Sequence, residues 1–467
     1  MSEERRDRQN LNLITGTHPI HSDRSGGHKK YNALDAGYWN RWIRISLKAQ
    51  DSKTVFSNIH THINVDSLKE AFKAIDGKKA LGVDGISKAI YERNLDENLR
   101  KLAEAIQRGT YRPQPKREVL IPKANGKTRP IAIACFEDKL VDWVVGKILT
   151  TIYEPTFIRT SFGYRPGKSA ADAINAIFCS LQQDRRQHIV EIDFSSFFNT
   201  IPHHKLMEII GKKIADRRFK GLIGRFLEGE LISAEGETLP SQLGTPQGSI
   251  MSPILANIYL HEVLDEWFLR NYASYNNVIV RYADDVLFFF SFEERAIKFL
   301  GELEERVKHY GLSLNADKSR SLTFSKKNHE HFHFLGFTFY WGKQSSRRTL
   351  KLKTNKDKLI KSMQEFDAWI KGSRSQKDLK TIWSLAKTKI QGHINYFGYR
   401  INTLKLRHFY QQAVISLFKW LNRRSQRRSY SWEGFNERLK HFPLIEPWEK
   451  MKLKSVGWDP YKGVLYR

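Results

Sequence analysis

Two apolar runs flank a polar pair in "VIVRYADDVLFFF", residues 278–290, and both runs read as buried strands. Asp284 and Asp285 stand between them, where adjacent carboxylates repel each other and are costly to desolvate. A two-residue hairpin turn usually carries glycine, because its central residues take positive φ, and Tyr-Ala-Asp-Asp has none. A hard divalent cation held by the carboxylate oxygens accounts for the pair better than a plain hairpin does.

The same reading extends along the chain. "NVDSLKEAFKAI" predicts a helix capped by Asp66 or Ser67, with Leu68, Phe72 and Ile75 on one face. "REVLIPKANGKTRPIAIAC" predicts strand, basic turn and strand, with Asn125-Gly126 as the turn dipeptide. "HIVEIDFSSFFNTI", residues 188–201, is an apolar strand ending in Asp193, and Ser195 or Ser196 can cap the next turn or helix. Strands and helices alternate to about residue 340, and beyond 350 the pattern turns helical, aromatic and basic without evident strands. Residues 1 to about 60 read as polar and irregular, with "HSDRSGGHKKYN" a flexible loop. "HEHFHF", residues 329–334, resembles a metal tract, but its alternation with Phe reads as a strand with one polar face.

Charge changes the picture more than composition does. The 467 residues are 40% hydrophobic and 27% charged, an ordinary globular balance with room for two to four domains. Lys and Arg number 78 against 50 acidic residues, a net charge of +28 that favours a polyanion such as nucleic acid. No 18-residue apolar stretch is present, so a membrane partner is not expected. The start, MSEERRDRQN, lacks an apolar signal region, and with only Cys135 and Cys179 a zinc finger or disulfide framework is excluded; a cytoplasmic location is expected.

The candidate chemistry gathers around phosphate. Asp193 precedes Asp284 by 91 residues and meets it if their strands are sheet neighbours. Three carboxylates at one end of a sheet suit two divalent ions, roughly 3.5–4 Å apart in such centres, one activating the attacking oxygen and the other stabilising the leaving one. Lys123, Lys127 and Arg129 surround the basic hairpin and can clamp a triphosphate. In "GTPQGSIMSPILANIYL", residues 244–260, Gly244 and Gly248 permit close backbone approach and Gln247 suits the lining of a nucleotide pocket.

"VEIDFSSFFNTI", "GTPQGSIMSPILANIYL", "RYADDVLFFF", "GLSLNADKSR" and "FHFLGFTF" stand in the order and spacing of reverse transcriptase palm motifs. With "GVDGIS" and "IPKANGKTRPIAI" upstream, residues from about 70 to 340 most resemble the bacterial group II intron class. "KIQGHINYFGYR" and "LFKWLNRRSQRRSYSW" further resemble the thumb and maturase region of those proteins. The resemblance implies an α+β right-hand polymerase: an N-terminal extension at 1–62, fingers at 63–186, palm at 187–342 and a helical thumb at 343–467. It implies Mg²⁺ as cofactor, two ions on Asp193, Asp284 and Asp285, with Mn²⁺ as a substitute. By the same resemblance Lys123 and Arg129 contact the incoming dNTP, Gln247 lines its pocket, Phe198 gates against a ribose 2′-OH, and Lys318 lies near the pyrophosphate as a candidate general acid. Phe334, Leu335 and Gly336 match the primer grip.

Arg423, Arg424, Arg427 and Arg428, if helical, make one basic face for RNA, beside Trp420, Tyr430 and Trp432, which either stack on bases or anchor the helix. The implied partners are a structured RNA template, a DNA primer and dNTPs. No Cys/His endonuclease segment follows the helical region, and the first 60 residues depart from the intron proteins, so target cleavage is not expected. An intron polymerase, an antiviral polymerase with a non-coding RNA template and a splicing cofactor with a vestigial site all accommodate these features; the intact carboxylate trio weighs against the last.

Overall fold

The computed structural model describes residues 33–122, 128–181, 186–233, 235–239, 243–245, 248–273, 276–344, 347–424, 430–446 and 448–456. These fall into two compact units, one running to Ala173 and resuming over Val190–Ser321, the other comprising Ile174–Ile189 and the residues from Leu322 on.

The first unit opens with α1 (Ala33–Ala49), α2 (Val65–Ala74), α3 (Lys88–Glu92) and α4 (Leu95–Arg108). Within the stretch to about residue 60 that reads as irregular, Ala33–Ala49 is instead a helix, because Trp42, Ile45 and Ala49 share a face that the core buries. In α2 the expected apolar face is present, with Leu68, Phe72 and Ile75 buried. Its cap is Asn64 rather than Asp66 or Ser67. Asn64 accepts from Ser67 N, while Ser67 Oγ accepts from Asn64 N, so Ser67 is the third helical residue of a capping box.

The strands β1 (Lys116–Pro122) and β2 (Thr128–Ile133) pair antiparallel as expected and belong to a sheet of order β2-β1-β4-β5, with β4 at Leu231–Ile232 and β5 at Thr238–Leu239. Between β2 and β4 come α5 (Phe136–Tyr153), α6 (Ala170–Leu181), β3 (His188–Ile192), α7 (Phe197–Thr200), α8 (His203–Lys213) and α9 (Arg217–Leu227). Helix α5 is buried around most of its circumference and forms the centre of the core. Beyond β5 lie α10 (Ser252–Leu260), a π-helical turn (His261–Asp265), α11 (Glu266–Asn271), β6 (Val278–Tyr282), β7 (Asp285–Phe290), α12 (Glu293–His309) and β8 (Arg320–Thr323). The second sheet has the order β6-β7-β3-β8, so the strand that ends before Asp193 lies beside the strand that begins with Asp285.

The second unit contains β9 (His331–Phe334), β10 (Phe337–Gln344) and β11 (Arg347–Thr354), in the order β11-β10-β9. In β9 Phe332 and Phe334 point inward and His331 and His333 outward, which is the one-faced strand expected of "HEHFHF". Because β11 runs to Thr354, strand structure passes the expected limit of 350. Helices α13 (Lys356–Ser373), α14 (Leu379–Phe397), α15 (Thr403–Leu421) and α16 (Trp432–His441) then bury a separate core that includes Phe366, Ile390, Phe409 and Leu417. Among the described residues no helix is long and apolar enough to cross a membrane.

Candidate active site

Asp193 follows β3 directly, and the "NADKS" segment wraps it. Its Oδ2 accepts from Lys318 Nζ at 3.0 Å and from Asn315 Nδ2 at 3.3 Å. Its backbone N–H donates to Ser319 Oγ at 3.2 Å, and its carbonyl accepts from Asn315 N at 2.7 Å. Ser319 Oγ also donates to the Asp193 carbonyl at 3.4 Å, and these bonds to one short segment fix where the carboxylate points. Asn315 and Ser319 hold Asp193 in place, a role visible only once the strand and the segment are adjacent. The Lys318 and Asp193 side chains are 65% and 37% exposed, so their ion pair is worth no more than about 1 kcal/mol and yields readily to a stronger ligand.

Asp284 and Asp285 sit at the β6–β7 hairpin, where Tyr282 pairs with Asp285 across a two-residue loop. Ala283 takes the positive φ, 57°, that glycine usually supplies. Two features hold this strained turn. A side chain at Gly163 would stand 2.3 Å from Ala283 N, so only glycine lets that backbone abut the turn. From behind, Arg281 Nη1 donates to Ala283 O at 3.3 Å and to Asn257 Oδ1 at 2.8 Å, while Nε and Nη2 donate to the two oxygens of Asp265 at 2.8 and 2.6 Å. Asn257 in turn donates to Gly163 O at 2.8 Å. Arg281 and Asp265 are both wholly buried. Burial alone would raise the Asp265 carboxyl, but the Arg281 charge and the bonds from His261 and Arg281 carry it below the usual range.

The Gly-rich loop docks where its glycines allow. A side chain at Gly244 would meet Phe198 O at 2.6 Å, and one at Gly248 would meet Ala132 O at 2.5 Å, so the loop lies against both the Phe198 segment and β2. Thr245 N donates to Phe198 O at 2.7 Å, and Gly244 N to Ile201 O at 2.9 Å. The loop is anchored by Asp142 of α5, a buried carboxylate that accepts from Ser249 Oγ, Ile250 N and Met251 N at 3.0, 2.7 and 3.1 Å; burial raises its carboxyl. Phe198 is half-buried and packs edge-on against Phe197 at 5.3 Å. Ser196 stands just before α7 with φ 54°, but its hydroxyl makes no cap, and Ser195 lies one residue too early.

Among the described residues no three His, Cys, Asp or Glu side chains gather as a metal cage. The donor chemistry nevertheless suits a hard divalent ion, because Asp193 presents Oδ2 to a cation already, the Lys318 ammonium, and no described residue donates to its Oδ1.

In the second unit, Leu335 and Gly336 form the two-residue turn between β9 and β10, with φ 48° and 78° as a type I′ hairpin requires. Tyr396 Oη donates to Leu335 O at 3.0 Å, Asn355 N donates to Gly336 O at 2.9 Å, and Phe334 is buried beneath. The expected helical face of arginines is not formed at its start. Helix α15 ends at Leu421, and Asn422 exchanges two bonds with the Tyr430 backbone, so Arg423 and Arg424 leave the helix in a turn. Trp420 is an anchor: it is buried, and its Nε1 donates to Asp367 at 2.9 Å. Tyr430 packs against the same core and Trp432 stacks on Phe435. Lys123, Lys127, Gln247, Arg427 and Arg428 lie outside the described residues, and of Arg129 only the backbone, paired with Ile121, is described.

Residues 121–339 match the family model for reverse transcriptase (RNA-dependent DNA polymerase). The chain is 35% identical to the group II intron-encoded protein LtrA of Lactococcus lactis over 230 residues, 49% of this chain and 38% of the relative. It is 34% identical to the protein YkfC of Escherichia coli over 201 residues, 42% of this chain and 52% of the relative. It is 30% identical to a putative COX1/OXI3 intron 2 protein of Saccharomyces cerevisiae over 227 residues, 47% and 26% of the two chains. The chain thus spans about half or less of the length of these relatives, and its match to the reverse transcriptase family lies within residues 121–339.

Proposed function

We propose that the protein is an RNA-directed DNA polymerase of right-hand form that extends a DNA primer with dNTPs on a structured RNA template. The observation that carries this reading is the sheet order that sets β3, ending before Asp193, beside β7, beginning with Asp285, within the matched domain. Fingers at 63–186, palm at 187–342 and thumb at 343–467 belong to the same proposal. Asp193, Asp284 and Asp285 would hold two Mg²⁺ ions, with Mn²⁺ as a substitute. When bound, such ions activate the attacking oxygen and stabilise the leaving pyrophosphate.

The protein's own groups do the rest. Asn315 and Ser319 orient Asp193. Lys318 Nζ donates to that carboxylate and is assigned as the acid for the leaving pyrophosphate. Lys123 and Arg129 clamp the triphosphate, Gln247 lines the pocket, and Phe334, Leu335 and Gly336 grip the primer end. The intron in the name of the Lactococcus relative makes an intron RNA the favoured template.

Phe198 is assigned as the gate against a 2′-OH, because the Gly-rich loop closes on its backbone and leaves the ring half-buried. Primer extension on an RNA template with Mg²⁺ should use dNTPs in the wild type, and Phe198→Val should raise rNTP use relative to dNTP use by about tenfold, close to what one or two methylenes decide in a pocket. Absence of RNA-templated synthesis by the wild type would overturn the function. Unchanged sugar discrimination in a folded, active Phe198→Val would overturn the gate.

Arg423 and Arg424 are exposed at the end of α15 and are assigned to RNA phosphates together with Arg427 and Arg428. Replacing Arg423 and Arg424 by Gln should reduce the slope of log K against log salt by about 1.4, at roughly 0.7 per contact on single strands. Parallel salt titrations would remove both from the interface.

A further inference from the structure

Three ionisable groups that take no part in the proposed reaction lie buried beside the Gly-rich loop. Lys116, Asp138 and Asp142 are 2%, 3% and 1% exposed. Lys116 opens β1, and the two acids stand one turn apart on α5. The Lys116 ammonium donates to Phe226 O at 2.6 Å and faces Asp142 and Asp138 as charges, without a hydrogen bond to either. Burial pulls it down to about 8, so it stays charged at neutral pH. Asp138 is satisfied away from the loop, by Tyr111 Oη and by Gln114 N, and burial brings its carboxyl up to about 6.

Asp142 is the member that reaches the loop. Its Oδ1 accepts from Ser249 Oγ and Met251 N, and its Oδ2 from Ile250 N. Both oxygens are thus engaged by donors, and a proton on either would confront one of them. Burial favours that proton, and the Lys116 charge opposes it. The other titratable groups on this side are Tyr111, whose hydroxyl burial keeps protonated, and Arg225 of α9, which faces Tyr111; residues 249–251 bring none. The held segment bears on the proposed nucleotide pocket. Gly248, just before it, lies against Ala132 O of β2, the strand that carries Arg129, and Gln247 precedes Gly248 in the chain.

We propose that Lys116 and Asp142 are positioning residues for the incoming dNTP: the buried ammonium keeps the carboxylate ionised, and the ionised carboxylate holds the Gly-rich loop in the form that receives the nucleotide. Neither side chain touches the dNTP, and the assignment rests on the polymerase reading. A loop held only part of the time lowers the apparent affinity by the fraction of competent protein. Saturating dNTP draws the loop back, so the effect falls on KM rather than on kcat.

The test is single-nucleotide primer extension on an RNA template by the full chain, with kcat and KM for the dNTP measured from about pH 8 down to about pH 6, the window that Lys116 and Asp138 bound. In Asp142→Asn the amide N–H₂ meets a donor, so KM should stand about tenfold above wild type across the window, the order of one buried hydrogen bond left unmade, with kcat within about threefold. In Lys116→Met, KM should climb at a higher pH than in wild type, because Asp142 takes up its proton sooner. Combined with Asp142→Asn, Lys116→Met should add nothing further to KM. Ser249→Ala removes one bond and no buried charge, should raise KM by about threefold, and serves where the buried variants do not fold. A loss confined to kcat, a wild-type pH profile in Lys116→Met, or an unchanged KM in Ser249→Ala would overturn the proposal. Absence of RNA-templated synthesis by the wild type would instead overturn the polymerase reading.

Discussion

Asp284→Asn is expected to abolish RNA-templated DNA synthesis while leaving the protein folded and its RNA affinity within about twofold of wild type. The substitution preserves the shape of the side chain and removes one negative charge from the hairpin turn. If the carboxylate helps to hold ions that stabilise charge in the transition state by several kcal/mol, losing about 4 kcal/mol of that stabilisation slows synthesis about 10³-fold. Two adjacent aspartates repel each other, and the neutral amide relieves part of that repulsion. The basic surface is untouched, so the electrostatic part of RNA binding persists. Primer extension with Mg²⁺ and a binding titration at one fixed salt concentration measure both halves. Extension at near wild-type rate would remove Asp284 from the reaction and the polymerase assignment with it.

How much of this site can be read in advance depends on how local each contact is. The apolar face of α2, the β1–β2 pair and the one-faced β9 are legible because their patterns repeat within a few residues. The hairpin at Asp284 is legible as an anomaly: no glycine is available, yet a positive φ is needed, and Ala283 adopts it. What lets alanine do so is not legible. Gly163 lies 120 residues away in sequence, and Arg281, which reads as one basic residue in an apolar strand, is matched by Asp265 from a π-helical turn. Asp142 is similar. An acid set between Val141 and Trp143 gives no sign that three donors of residues 249–251 will satisfy it. Local punctuation misleads in another way when several capping residues stand together: Asn64, Asp66 and Ser67 are all cap formers, and only the chain's entry geometry selects Asn64. At the end of α15 the arginines share helical spacing, but Asn422 closes on Tyr430 and ends the helix before them.

Arg281→Ala is expected to cost about 3–5 kcal/mol of stability, because it leaves the fully buried Asp265 carboxylate without its partner. Arg281→Lys should recover little of this, since an ammonium cannot reproduce the paired bonds from Nε and Nη2 to Asp265 together with the reach of Nη1 to Asn257 and Ala283. A double variant, Arg281→Met with Asp265→Leu, should be more stable than Arg281→Ala, because two apolar groups of similar volume leave no buried charge unpaired. Stability and synthesis then part company in that double variant. It keeps the fold but lacks the hydrogen bond that holds Ala283 O, so the hairpin carrying Asp284 and Asp285 is free to relax its strained φ, and synthesis should remain well below wild type. Denaturant midpoints report the first effect and primer extension the second. A double variant that is both stable and fully active would show that Arg281 and Asp265 serve only the core, and would leave Gly163 packing as what shapes the turn.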